Sequence, residues 1–170
     1  FLLLIPFLLI RFGLLSVLNK GAVKRAAYFA PVIGHEIPAY WVYQASNAAI
    51  FVCLCFLRVI IDFSWMCYMG IIAYILGLIL CSISITNFAN PSNEGFNSNG
   101  LYRFSRNPMY LAYFIFFSGC ALLTQSMILG GIVLIFIICS YWIILSEERW
   151  CIEKFGESYR QYMKRVRRFI

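Results

Sequence analysis

Residues 109–148 read MYLAYFIFFSGCALLTQSMILGGIVLIFIICSYWIILSEE, and the arrangement of the neighbouring segments follows from them. It holds two uncharged apolar runs, at about 109–124 and 126–145, with only Gln125 and Ser126 to turn the chain between them. So short a connection predicts an antiparallel helical hairpin. Both open ends of the hairpin then lie on one side, so the polar segments that flank it must be neighbours.

The composition is that of a protein that lies in a membrane. Of 170 residues, 62% are hydrophobic and 12% are charged, whereas an ordinary soluble domain has about 25% charged residues. So few charges could not cover the surface of a soluble globule, which argues against a soluble enzyme, a disordered chain and a nucleic-acid binder. We expect one integral membrane domain over residues 1–170. The seven cysteines form no CxxC pair, which predicts packing residues and no metal site.

Three further apolar runs precede the hairpin, at residues 1–18, 41–61 and 63–86. Each is long enough to cross about 30 Å of hydrocarbon. With the hairpin they predict an all-α integral membrane fold of about five transmembrane helices, followed by a C-terminal amphipathic helix. Asp62 is expected to cap the third run and to pair with Arg58 one turn before it.

The basic residues fall almost entirely on one side of these five runs. Of the fourteen Lys and Arg residues, all except Arg11 and Arg58 lie in segments 19–40, 87–108 and 146–170. Positive residues favour the cytoplasmic side of a membrane. This predicts an N-terminus outside and a cytoplasmic C-terminus. Arg11, inside the first run, is expected to snorkel to the interface or to pair within the bundle.

Two polar segments flank the hairpin on the predicted cytoplasmic side. Residues 87–108 read NFANPSNEGFNSNGLYRFSRNP, a loop of a length that is usually functional. Residues 146–170 begin with the pair Glu147 and Glu148 and continue with apolar residues at steps of three and four, which predicts an amphipathic helix. Adjacent carboxylates repel each other, so we expect a cationic ligand or an arginine of the first segment beside them.

A family pattern emerges from three pieces of these segments. Residues 100–110 read GLYRFSRNPMY, residues 147–148 read EE, and residues 155–162 read FGESYRQY. In order and spacing they resemble the isoprenylcysteine carboxyl methyltransferase and phospholipid methyltransferase superfamily, whose usual pattern is G-x-Y-x-x-x-R-[HN]-P-x-Y, a hairpin, E-E, and F-G-x-x-Y-x-x-Y. The likeness spans about residues 94–170, and the motif-bearing part of the chain is 87–170.

The resemblance implies a membrane enzyme that transfers a methyl group from S-adenosylmethionine to a lipophilic acceptor and releases S-adenosylhomocysteine. The cofactor site would lie at the cytoplasmic face, and the partners would be the lipid bilayer and a lipophilic small-molecule or lipid substrate. Carried over by position, the cofactor contacts are Glu94, Gly95, Phe96, Asn97, Tyr102, Asn107, Pro108, Met109, Tyr110, Glu147 and Glu148. The residues implied to carry the chemistry are Glu147, Arg106 and Asn107.

The chain departs from the family pattern at two positions. Asn107 stands where the family most often has His, and a neutral amide cannot titrate near pH 7. Ile143 stands where the eukaryotic prenylcysteine enzymes carry an Arg that meets the substrate carboxylate. The resemblance therefore implies the cofactor but leaves the acceptor open.

Two other functions remain open at this point. Sterol-reductase-like membrane enzymes, which use NADPH, contain a similar R-H-P-x-Y motif followed by an aromatic tail, so this chain resembles them as well. A non-catalytic membrane scaffold with a decayed site is the third interpretation. The glutamate pair, Asn107 and the small number of crossings favour the methyltransferase.

Overall fold

The computed structural model describes residues 1–26, 28–91 and 95–169, and it contains helices and no strand within those ranges. The helices are α1 (Leu4–Leu18, π-helical over Leu9–Leu14), α2 (Lys20–Ala26), α3 (Glu36–Phe56), α4 (Trp65–Ala89), α5 (Pro108–Thr124) and α6 (Met127–Arg165), with one 3-10 turn at Gly100–Arg103. The predicted all-α class is confirmed.

Three of the described helices are long and apolar enough to cross a membrane, namely α3, α4 and α6. The other two apolar helices, α1 and α5, are shorter than the 18 residues of a minimal span. The apolar helices therefore support an integral membrane protein. The number of five crossings stays a prediction.

The predicted hairpin is formed by α5 and α6. Gln125 ends α5 in the left-handed conformation, with φ of 48°, and Ser126 begins α6 because its Oγ accepts a hydrogen bond from Leu129 N at 3.2 Å. Two residues thus reverse the chain. The loop that precedes α5 and the far part of α6 are brought to the same end of the bundle.

The helix that contains the second apolar run begins and ends earlier than the predicted 41–61. It starts at Glu36, whose Oε2 accepts a hydrogen bond from Ile33 N at 3.0 Å, and it stops at Phe56 because Leu57 is extended. Glu36 also pairs with Arg149 of α6 at 2.6 Å. This ion pair holds the start of α3 against α6, and no sequence pattern predicted it.

The expected roles of Asp62 and Arg58 are wrong. Residues 57–64 are not helical, and the cap of α4 is Ser64, whose Oγ accepts from Cys67 N. Asp62 instead accepts from Ser64 Oγ at 2.5 Å and from Gln125 Nε2 at 2.8 Å. Asp62 therefore joins the α3–α4 connection to the hairpin turn and does not pair with Arg58.

Small residues let α4 and α5 pack closely. A Cβ placed on Gly77 of α4 would lie 2.6 Å from Phe116 Cα, and one on Gly119 of α5 would lie 2.5 Å from Tyr74 N. Glycines at such contacts allow two helix backbones to approach each other. The start of α5, which carries part of the candidate site, is thereby fixed against α4.

The predicted C-terminal amphipathic helix begins as the continuation of α6 and resumes after a kink at Gly156, from which a second helical segment runs to Arg165. Gly156 interrupts α6 with φ of 58°, a conformation that favours glycine, and so bends it. Beyond the bend, Tyr159, Tyr162 and Val166 form a buried cluster with Phe96 of the loop. The ring centroids of Phe96 and Tyr159 are 5.3 Å apart.

We predict that Gly77→Ala lowers the thermal unfolding midpoint, because the added methyl group would collide with the Phe116 backbone. Overpacking of this kind costs about 1–3 kcal/mol. Tryptophan fluorescence during heating in detergent would measure it. The matched control is Gly131→Ala, where a Cβ meets nothing within 4 Å and helix propensity improves. Equal midpoints for the two variants would contradict close α4–α5 packing.

Candidate functional site

Hydrogen bonds hold the loop before α5 against the C-terminal tail, residues 166–169. Arg106 N donates to the Arg167 carbonyl oxygen at 3.0 Å. Asn107 Nδ2 and Ser105 Oγ both donate to the Arg168 carbonyl oxygen, at 3.1 and 3.3 Å. The amide of Asn107, which the sequence pattern placed in the chemistry, is thus occupied in fixing the tail.

Glu148 is the buried anion at which the loop, α6 and the tail meet. Its side chain is 5% exposed, and its carboxylate lies 3.2 Å from Arg106 Nη2 and 2.8 Å from Arg168 Nη2. An arginine of the loop was expected beside the glutamates, and Arg106 is that residue. The hydrogen bond to Glu148 raises the pKa of Arg168. With two guanidiniums bound, Glu148 is a structural anion.

Glu147, its neighbour, has a different environment. Tyr110 Oη donates to Glu147 Oε1 at 2.8 Å. In the part of the chain that the structure describes, no lysine or arginine forms an ion pair with Glu147. An ionised carboxylate can accept about four hydrogen bonds. Glu147 is therefore held in place by one tyrosine and keeps most of its capacity to bind a ligand.

A cavity of about 650 Å³ opens between the loop, α5 and α6. The residues that the sequence pattern assigned to the site and that line this cavity are Gly95, Phe96, Asn97, Tyr102, Arg106, Asn107, Met109, Tyr110, Glu147 and Glu148. Pro108 is buried at the first position of α5 and is not part of the lining. Glu94 lies outside the described residues. The structure thus brings most of the assigned residues around one space.

Arg106 lines this cavity and has unsatisfied hydrogen-bond donors. Its side chain is 8% exposed, and Nη2 contacts Glu148. Its Nε and Nη1 are buried and have no hydrogen-bond partner. A buried donor without a partner is unfavourable by about 1–3 kcal/mol, and by more when it is charged. Two such donors on one guanidinium indicate a place for an anionic ligand.

Aromatic side chains form much of the cavity wall. Tyr102 is buried, and its carbonyl oxygen accepts a hydrogen bond from Tyr162 Oη at 2.6 Å, which ties the 3-10 turn to the end of α6. Burial raises the pKa of Tyr102 far above its usual range, and Tyr162 adds to this. Its hydroxyl therefore stays protonated. Tyr110 of α5 lies beside Glu147 of α6, to which its hydroxyl donates a hydrogen bond.

The first half of the chain contributes lining residues that the sequence pattern did not identify. They include Arg11 of α1, Lys24 and Arg25 of α2, Tyr43 of α3, and Phe29 between α2 and α3. Arg11 could have been found as the one charge within the first apolar run. The aromatic residues carried no such signal, because the chain is rich in aromatics throughout.

Ile143, at the position where an arginine was considered, faces the core. It is 1% exposed and belongs to the main apolar cluster of the bundle. It is not part of the cavity lining. Any cation that meets an acceptor must therefore come from elsewhere in the cavity.

Comparison with known proteins gives one finding. A model of the phospholipid methyltransferase family matches residues 47–158. The matched part contains the loop, the hairpin and both glutamates, while α1 and α2 precede it. No curated protein and no solved structure matches the chain.

We predict that Glu148→Ala destabilises the fold strongly, because it leaves Arg106 and Arg168 without their shared anion. Removing one partner of a buried ion pair costs about 3–5 kcal/mol. Heating in detergent, followed by tryptophan fluorescence, would show a lowered midpoint. Glu153→Ala is the control, since Glu153 is exposed on the same helix. If both variants unfold at the wild-type temperature, the Glu148 ion pairs are not formed.

Proposed function

Since the chain belongs to the phospholipid methyltransferase family, we propose that the cavity is the place where a methyl group passes from S-adenosylmethionine to a lipophilic acceptor. Family membership implies a methyltransferase, and the apolar helices support one that acts in the bilayer. The observation that carries the proposal is that two oppositely charged side chains, Glu147 and Arg106, line one cavity without forming an ion pair with each other. Each carries unused binding capacity, and both line the same cavity.

The charges of this pair fit the amino-acid end of the cofactor. That end has an ammonium and a carboxylate a few bonds apart, and it needs an anion and a cation at similar spacing. Glu147 offers carboxylate oxygens to the ammonium or to the ribose hydroxyls. Arg106 offers Nε and Nη1 to the carboxylate, because only Nη2 is taken by Glu148. Binding would thus satisfy the two orphaned donors.

The rest of the cavity fits the cofactor in size and chemistry. A volume of about 650 Å³ lies within the range of about 300–1,000 Å³ that small-molecule sites have. Tyr102 and Tyr110 supply aromatic faces, which attract a positively charged sulfonium by a cation–π interaction. Phe96 and Asn97 supply further wall and backbone groups for the nucleoside.

S-Adenosylmethionine supplies a methyl group that is already activated by its positive sulfur. The residues of this chain then have two tasks: to hold donor and acceptor in line and to exclude water. Glu147 and Arg106 position the donor, and the buried Tyr102 and the half-buried Tyr110 close the site around it. Asn107 acts through the tail that it holds, since its amide donates to the Arg168 carbonyl.

The proposed arrangement in the membrane follows the distribution of basic residues. We propose five crossings, with α1 and α5 completing the bundle and with the cavity at the cytoplasmic face. The basic residues that line the cavity or follow it, such as Lys24, Arg25 and Lys154, support this, because cytoplasmic segments are enriched in Lys and Arg.

We predict that S-adenosylhomocysteine raises the thermal midpoint of the purified protein and that NADPH does not. A ligand at a hundred times its Kd stabilises by about 2.7 kcal/mol. Stabilisation by NADPH alone would favour the reductase, and stabilisation by neither would favour the scaffold. Either result would contradict the proposal.

We further predict that Glu147→Ala weakens S-adenosylhomocysteine binding in calorimetry by about tenfold to a hundredfold, as expected for the loss of a charged hydrogen-bond partner. Glu153→Ala should bind as the wild type does. Full binding by Glu147→Ala, with normal stability, would remove Glu147 from the site.

The orientation is tested with reporters fused to the C-terminus and produced in bacteria. The positive-inside pattern predicts that a fluorescent protein at this end is fluorescent and that a periplasmic phosphatase is inactive. The reverse pattern of activity would place the cavity at the outer face.

A further inference from the structure

Arg11 is a charged residue inside an apolar helix, and it faces the candidate site. It lies on α1, before the matched residues 47–158, and it lines the same cavity as Glu147 and Arg106. A charge within an apolar span is costly, and it usually marks a functional group that faces the bundle interior. The position of Arg11 was not part of any family motif.

The charge of Arg11 is not matched by an acid. Within residues 1–26, 28–91 and 95–169, no carboxylate lies within ion-pair distance of Arg11. One nitrogen, Nη2, donates to the Ala26 carbonyl oxygen at 3.3 Å. The guanidinium also lies 5.8 Å from the centroid of the Tyr113 ring. A guanidinium has five N–H donors, and among the described residues Arg11 donates one hydrogen bond to the protein.

The backbone around Arg11 is π-helical, which is unusual within an α-helix. Leu9–Leu14 is a π-helical turn inside α1, and Arg11 is its third residue. Such turns are rare and occur frequently at functional sites. Next to Arg11, Tyr113 has a buried hydroxyl without a hydrogen-bond partner. Arg11 and Tyr113 both line the cavity, so that a charged and a neutral polar side chain lie side by side in its wall.

We infer that Arg11 is a specificity-determining residue that binds the anionic headgroup, a phosphate or a carboxylate, of the lipid acceptor. The inference rests on the proposed function, in which Glu147 and Arg106 are occupied by the cofactor. Ile143 is apolar and buried, so it supplies no cation. Arg11 supplies one from the opposite half of the chain, and guanidinium groups bind phosphate and carboxylate with paired hydrogen bonds. Phe29 and Phe88 offer an apolar wall to the acyl chain.

The test compares two ligands that differ in one charged group. The probes are 1-oleoyl lysophosphatidic acid and 1-oleoyl glycerol, which share their acyl chain and glycerol, and both are titrated into the whole protein loaded with S-adenosylhomocysteine. The wild type should bind the phosphate-bearing lipid about tenfold or more tightly than the neutral one. Arg11→Met should bind both lipids equally, and Arg11→Lys should keep part of the preference. Arg58→Met, an exposed arginine between α3 and α4, should keep all of it.

Each remaining outcome is decisive. Equal binding of the two lipids by the wild type, or an unchanged preference in Arg11→Met, would overturn the inference. Loss of S-adenosylhomocysteine binding in Arg11→Met would also overturn it, because Arg11 would then serve the cofactor or the fold. Inorganic phosphate that stabilises the protein as strongly as the phosphate lipid does would exclude a lipid source. The two proposals can also be told apart. If the wild type does not bind S-adenosylhomocysteine but still prefers the phosphate-bearing lipid, and Arg11→Met loses that preference, the proposed function fails and the Arg11 site stands.

Discussion

The ion pairs of Glu148 with Arg106 and Arg168 are the interaction on which the site depends. A buried carboxylate is tolerated only when cations and hydrogen bonds compensate it, and here the cations come from two different segments. The Glu148 carboxylate therefore holds together three segments: the loop before the hairpin, helix α6 that carries it, and the C-terminal tail. With Glu148 neutralised, the adjacent Glu147 remains free to face the cavity with only Tyr110 bound to it.

The hairpin is the part of this arrangement that the sequence could predict. Two uncharged apolar runs joined only by Gln125 and Ser126 predict an antiparallel pair of helices. Such a pair brings the two flanking polar segments together, whatever structure each of them has. The prediction that an arginine of the loop meets the glutamates followed from repulsion between Glu147 and Glu148. The phospholipid methyltransferase match confirms the family that the motifs indicated. The roles of the individual residues toward a cofactor remain predictions.

Other features could not be predicted, because they depend on how distant segments pack. The contact of Arg168 with Glu148 is one of them, because the path of the tail depends on the direction of the bend at Gly156. Asp62 was expected to cap a helix whose cap is in fact Ser64. Pairing of Glu36 with Arg149 joins residues 113 positions apart, and no local pattern encodes that distance. Arg11 was visible as an isolated charge, but its direction is set by a π-helical turn with no sequence signature.

The bend at Gly156 determines whether the site can be completed. A straight helix would carry residue 168 about 30 Å beyond Glu148, and the positive φ of the glycine turns the chain back instead. A chain without this turn would leave Glu148 without its contact to Arg168, and the Asn107 amide without the Arg168 carbonyl. One backbone angle thus governs both the charge balance of the two acids and the anchoring of the loop.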